Sequence, residues 1–366
     1  MLWGDRTIKG WDMSTASQDS SGKKLPYQRI AVEEAYQPKE IVPLYRKLIE
    51  TQAFNDPGFL SQWGYFLGNA EKMQKLASRL VDIGEGRIRD MDSTGIKRQI
   101  LSIASPGVQI FDAATGTSLA TTFNDELAEA IAKHPDRLSG LGAVAPQNPA
   151  AAAKELERCV TKLGLKGVII NSNTQGEYLD EPKFYDILAA AEAHDVPIYL
   201  HPATPPARMI GPLIECGLEG AFYGFAVETS VHLLRMIMKG VFDRFPTLQV
   251  CAGHGGEGLP FWLWRLDHFQ HNYQESNRFP HMPKLKRKVS EYVKENIPVT
   301  TSGMFWAPVL LFCQQVVGMD RVLYSMDYPF QFSANEVKTV DELPISDADK
   351  KKLYQTNAER IFKLTA

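Results

Sequence analysis

The sequence is short of cysteine, of net charge and of long apolar runs, and each shortage excludes a class of protein. Its four cysteines, Cys159, Cys216, Cys251 and Cys313, form no C-x-x-C pair. Buried thiols in a reducing compartment are therefore expected rather than a disulfide frame or a thiolate zinc site. Lysine and arginine number 40 against 43 aspartates and glutamates, a formal charge of -3. So even a balance supplies no field for nucleic acid or an anionic membrane, and neither is expected as a partner. No run is long and apolar enough to span a bilayer, and the opening stretch MLWGDRTIKGWDMSTASQDSSGKK has no continuous apolar segment of the secretory kind. A cytoplasmic protein is the expectation. There is also no glycine-rich phosphate loop between a strand-like run and a helix-like one.

What is present is ordinary for a soluble globular chain, with 44% hydrophobic and 23% charged residues. A length of 366 residues suits a barrel of repeated strand and helix units. Residues 1 to about 27, polar and without periodicity, read as a flexible N-terminal arm, which leaves 28–366 as a single domain. Beyond the arm, short apolar runs recur: Arg29 to Val32, Gln99 to Ile103, Leu138 to Val144, Gly167 to Ile170, Val196 to Leu200, Leu248 to Cys251, Ile297 to Thr300 and Arg321 to Met326. Between most of them lie segments such as Ala150 to Leu163 and Lys183 to His194, whose apolar residues recur every three or four positions. Eight strands alternating with helices predict an α/β fold, a parallel sheet closed into a (β/α)8 barrel of the TIM type. An open doubly wound sheet is the alternative.

A barrel places its working residues where the strands end. The first run is followed by Glu33-Glu34, the fifth by His201-Pro202, the sixth by Gly253-His254-Gly255-Gly256-Glu257 and the eighth by Asp327. Four groups of metal-ligand type, Glu33, His201, His254 and Asp327, thus occupy equivalent positions on four strands. Residues at one height converge on the barrel axis, within the few ångströms a cation demands. Such a mixed nitrogen and oxygen set suits a first-row divalent ion. The first strand lacks a His-x-His pair, so the set is oxygen-rich, which favours Mn2+ while Zn2+ stays compatible.

His254 and Glu257, three residues apart, can form an imidazole oriented by a carboxylate, or else a glycine-rich turn with a solvated acid. Arg265 can clamp a substrate carboxylate through its guanidinium fork or serve as a surface ion pair. Tyr65, Phe66, Phe222, Tyr223, Phe225, Phe305, Trp306, Tyr328, Phe330 and Phe332 are core residues or the wall of a flat apolar pocket.

These residues carry a resemblance. Ile-Ala-Val-Glu-Glu-Ala-Tyr (30–36), Tyr-Leu-His-Pro-Ala-Thr (199–204), Phe-Ala-Val-Glu-Thr (225–229), Gly-His-Gly-Gly-Glu-Gly-Leu-Pro (253–260) and Met-Asp-Tyr-Pro (326–329) are similar to motifs of the amidohydrolase-related, metal-dependent decarboxylases of aromatic acids. That group contains the γ-resorcylate, 2,3-dihydroxybenzoate and 5-carboxyvanillate decarboxylases, and the last resemble this chain most. The likeness runs from about Arg29 to Leu364. It implies Glu33, His201 and Asp327 as metal ligands, His254 with Glu257 as a catalytic pair, and Phe225 against the substrate ring. It also implies Arg265 reaching across the interface of a homodimer or homotetramer. The chain departs from the resemblance in the pocket: Lys72 is the basic group nearest to where an arginine is expected, and Phe66, Ala104 and Phe330 stand where hydroxyl-bearing side chains are expected.

The implied reaction is loss of CO2 from a phenolic acid, 5-carboxyvanillate or a close analogue, with a proton delivered to the ring by Asp327 or by the His254–Glu257 pair. The same fold and ligand types serve a metal-dependent hydrolase of lactones or amides, which is the rival reading.

Overall fold

The computed structural model describes residues 25–68 and 70–364. The expected arm lies outside the described residues except for its last three. Of these, Tyr27 is buried and stacks on Tyr354 with ring centroids 5.4 Å apart.

The strands are β1 (Ile30–Tyr36), β2 (Arg98–Ile103), β3 (Leu138–Gly140), β4 (Gly142–Ala143), β5 (Val168–Asn171), β6 (Ile198–His201), β7 (Val250–Ala252), β8 (Val299–Thr300) and β9 (Val322–Leu323). They pair in chain order and always in parallel, as β1-β2-β3 and as β4 through β9. Backbone bonds outside these ladders join them into a ring. At one seam Leu141 separates β3 from β4, donating its N–H to the Leu101 carbonyl at 2.8 Å while Gly142 bonds Gly167 at 2.9 Å. The third apolar run is therefore one strand that changes neighbour at its midpoint. Gly142 is needed there because a β-carbon would lie 2.5 Å from Cys159 Sγ of the covering helix. At the other seam the Val32 N–H donates to Tyr324 at 3.2 Å, laying the end of β9 against β1.

Strands covered by helices outside and by their own side chains inside are buried on both faces, so they read as continuous apolar runs rather than alternating ones. β1 is buried at all seven positions. The helix Pro149–Thr161 begins with proline in its first turn and buries Ala152, Leu156 and Cys159 towards the sheet.

Two expectations change. The first strand does not stop at Val32 but runs to Tyr36, so Glu33 lies inside β1, with a register shift between Ala31 and Glu34. Two carboxylates look like a strand stop only while their partners are unknown. The second change concerns the cysteines: all four are free, but Cys216 is exposed, whereas Cys159, Cys251 and Cys313 are buried. Among the described residues no helix is long and apolar enough to cross a membrane.

Candidate active site

The site grows from Glu33. Its Oε2 accepts the hydroxyl of Tyr199, and that of Thr300 at 3.0 Å, while its own N–H donates to Ser325 Oγ at 2.8 Å. The other oxygen, Oε1, is buried with no hydrogen-bond partner. Gly253, at the end of β7, makes room for this carboxylate, because a β-carbon there would stand 2.9 Å from both Glu33 oxygens.

Two imidazoles face the orphaned oxygen. His201, the last residue of β6, brings Nε2 to 3.6 Å from Glu33 Oε1, and His254 brings Nε2 to 3.8 Å. Asp327, just beyond β9, places Oδ2 4.0 Å from His254 Nε2. Among the described residues the donor atoms of Glu33, His254 and Asp327 form a metal-sized cluster, all within 4.8 Å of one another. His201 meets the same Glu33 oxygen from the neighbouring strand. The four residues singled out at strand positions thus converge.

Electrostatics separates the two histidines. His201 Nδ1 lies 2.8 Å from the Pro202 carbonyl, which requires a proton on Nδ1 and leaves the Nε2 lone pair directed at Glu33. Burial, outweighing nearby Glu33, depresses its pKa and keeps the ring neutral, the state in which imidazole ligates a metal. His254 Nδ1 lies 2.6 Å from Glu257. Burial works against its charge, yet Glu257, Glu33 and Asp327 together hold its pKa well above the usual value. Burial also raises the Asp327 carboxyl well above the carboxylate range, helped by Glu33, Glu34 and Glu257 and opposed by His254. The unpaired Glu33 oxygen and the neutral His201 fit a divalent cation bound by nitrogen and oxygen. The Asp327 carboxyl and the His254 imidazole are in addition both shifted towards their protonated forms.

Of the pocket residues, Phe225 is half-buried in the first turn of the helix Gly224–Met238, which packs on the His254–Glu257 turn. Phe66 and Phe330 lean on each other with centroids 6.1 Å apart, and Phe330 is 40% exposed. Ala104 is buried with Ala35 and Leu80. Lys72 is exposed in the first turn of the helix Glu71–Val81 and forms no ion pair among the described residues. Arg265 is exposed on the helix Leu259–Ser276, where its guanidinium covers the Phe269 ring at 4.8 Å.

Tyr199 and Thr300 escape the strand-end reading. Their signal was periodicity: Tyr199 stands two residues before His201, hence on the same face of β6. Glu228 is a further buried acid, pushed up to about 7 by burial, that accepts from Asn173 at 3.0 Å. It lay unread inside the Phe-Ala-Val-Glu-Thr motif.

The amidohydrolase family model matches residues 75–364. A γ-resorcylate decarboxylase of Polaromonas sp. is 39% identical over 300 residues, 79% of this chain and 90% of that protein. Among solved structures, a 5-carboxyvanillate decarboxylase of Novosphingobium aromaticivorans, complexed with manganese and 4-hydroxy-3-methoxy-5-nitrobenzoic acid, superposes with a TM-score of 0.91 at 47% identity, covering 96% of this chain and all of that one. A dihydroxybenzoic acid decarboxylase of Polaromonas sp., with bound manganese and the inhibitor 2-nitroresorcinol, superposes with a TM-score of 0.80 at 35% identity, covering 92% of this chain and 97% of that one. The chain belongs to the amidohydrolase family, in the branch whose members named here are decarboxylases of aromatic acids.

Proposed function

We propose that the protein is a metal-dependent carboxy-lyase that releases CO2 from an aromatic acid bearing a hydroxyl ortho to its carboxyl group, 5-carboxyvanillate or a close analogue. The observation that carries this reading is the buried, partnerless Glu33 oxygen, which faces His201 and His254 and lies in one metal-sized cluster with Asp327. Glu33, His201 and Asp327 would hold the cation, Mn2+ in preference to Zn2+, as the manganese in both solved relatives supports. Such an ion supplies Lewis-acid polarisation of the substrate's phenolic and carboxylate oxygens.

The rest is done by side chains. Asp327 delivers its proton to the ring carbon that carries the carboxylate. The bond to the carboxylate then breaks, its electron pair restores the aromatic ring, and CO2 leaves. His254, held charged by Glu257, offsets the carboxylates around it and returns a proton to Asp327 after turnover. Phe225, Phe66, Phe330 and Ala104 form the apolar walls, and Lys72 is the cation left for a second substrate carboxylate.

Arg265 completes the site of a neighbouring subunit in a homodimer or homotetramer. Its own helix supports this, because Phe261, Trp262 and Trp264 beside it are 72%, 52% and 79% exposed, an aromatic face that a second copy would cover. The catalytic unit is one barrel domain, 28–366, and its free cysteines suit the cytoplasm.

The test is direct. The manganese-loaded protein, offered 5-carboxyvanillate, 2,6-dihydroxybenzoate, simple ortho-hydroxybenzoates, lactones and amides, should release CO2 from at least one ortho-hydroxybenzoate and hydrolyse none of the others. Lactone or amide hydrolysis without CO2 would make it a hydrolase.

A further inference from the structure

Directly after Glu33 stands a second acid, Glu34, which is fully buried and takes no part in the site's donor set. Four donors meet its carboxyl oxygens, while burial, with Glu33 adding to it, pushes its pKa up to about 7. Oε1 accepts from Ser325 Oγ at 2.9 Å and from the Met326 N–H at 2.8 Å, and Oε2 accepts from the Tyr328 N–H at 3.3 Å and Gln99 Nε2 at 3.3 Å. The orientation of the Gln99 amide is set from behind, since its oxygen accepts from Arg87 at 3.1 Å.

Met326 and Tyr328 are the two residues that flank Asp327. One carboxylate therefore grips the backbone immediately before and immediately after the residue that carries the proton. Asp327 has φ +64°, a left-handed conformation that a non-glycine residue keeps only when its surroundings impose it. The same Ser325 hydroxyl that donates to Glu34 accepts the Glu33 N–H at 2.8 Å. Glu34 thus ties the loop bearing Asp327 to the strand bearing Glu33.

We infer that Glu34 is a positioning residue that sets the direction of the Asp327 carboxyl and its spacing from Glu33. The inference takes its rate prediction from the decarboxylase reading, but its metal prediction stands apart from any substrate. Glu34→Gln is the informative change because it keeps the shape. An amide has one acceptor oxygen where the carboxylate has two, so its NH2 must face donors on one side of Asp327.

The experiment titrates the full-length protein with MnCl2, following free Mn2+ by electron paramagnetic resonance, and measures kcat and KM for the best aromatic acid. In Glu34→Gln the Mn2+ dissociation constant should rise about 10-fold and kcat should fall about 10- to 100-fold, with KM within about 3-fold of wild type. Ser325→Ala, which deletes a donor to Glu34 together with the acceptor of the Glu33 N–H, should weaken Mn2+ binding about 3-fold. As a control, Glu155→Gln removes a buried carboxylate that binds Asn124 and Arg158 on the covering helices; it should lower Tm and move neither constant. A lowered Tm in Glu34→Gln with Mn2+ affinity and kcat unchanged would reduce Glu34 to a structural acid and overturn the inference. Should Glu34→Gln not fold, unchanged Mn2+ affinity in Ser325→Ala overturns it too. If the wild type releases no CO2 from any acid, the decarboxylase reading fails, and the Mn2+ titration still decides the role of Glu34.

Discussion

The two ends of the barrel are built by opposite rules. At the N-terminal end of the strands polar side chains are spent on loose carbonyls. Asn296 donates to the Pro246 and Leu248 carbonyls at 3.0 and 2.9 Å, and Asn357 to Met319 and Val322 at 2.8 Å each. At the C-terminal end Glu33, Glu34, Glu257 and Asp327 crowd together and one Glu33 oxygen has no partner. The backbone shows the same contrast. Of the non-glycine residues with positive φ among those described, the four that are not exposed, Ser172, His254, Glu257 and Asp327, all follow strands β5, β7 and β9. Strain and like charge are tolerated where chemistry is done, because the rest of the barrel supplies the stability that holds this end in place.

The contrast breaks most sharply at Asp327. Asp327→Asn should lower kcat by about 10²- to 10⁴-fold, the range for losing a positioned acid, and should release most of the bound metal with the circular dichroism spectrum unchanged. His201→Ala should lose metal in the same way. Retained metal and activity in either variant would erase the distinction between the two ends.

Glu257→Gln comes next, with metal retained and kcat lower by about 10- to 100-fold. It also has a pH signature. Glu257 helps raise the His254 pKa, so the variant's imidazole should titrate at lower pH in an NMR titration, and the basic limb of the kcat profile should move the same way. A His with a raised folded pKa contributes stability that is complete below its unfolded value, about 6.5, and is lost as pH rises through the folded value. The metal-free variant should therefore lose stability relative to wild type near pH 6 and lose less near pH 9.

Asn357→Leu sharpens the comparison from the other end. Two carbonyls lose their partner, costing about 1–3 kcal/mol in urea denaturation, with kcat and metal affinity unchanged. The smallest effect concerns assembly. Mixing Arg265→Ala subunits with Asp327→Asn subunits should restore about a quarter of wild-type activity, since half the dimers are mixed and each has one intact site. No recovery would place Arg265 within its own subunit or on the surface.

Composition and local pattern alone determined the eight apolar runs, the alternation with helices that favours a parallel barrel over an open sheet, and the candidate residue types of the site, because burial on both faces leaves continuous apolar runs and working groups stand at strand ends. Even the kinked third strand was legible as a single run. Tertiary structure decided the rest. Glu33 was read as following a strand, and only the pairing of β1 with β2 as far as Tyr36 shows it inside one. His201 and His254 looked alike in sequence, and they part only through Pro202 on one ring and Glu257 on the other. Glu34 had no role in the sequence, and its four donors give it one. Ser325 and Met326, which bond it, lie 291 and 292 residues away along the chain. Periodicity is a local property and records which face a residue takes; which donors meet that face is settled by ring closure, which brings the first strand against the last.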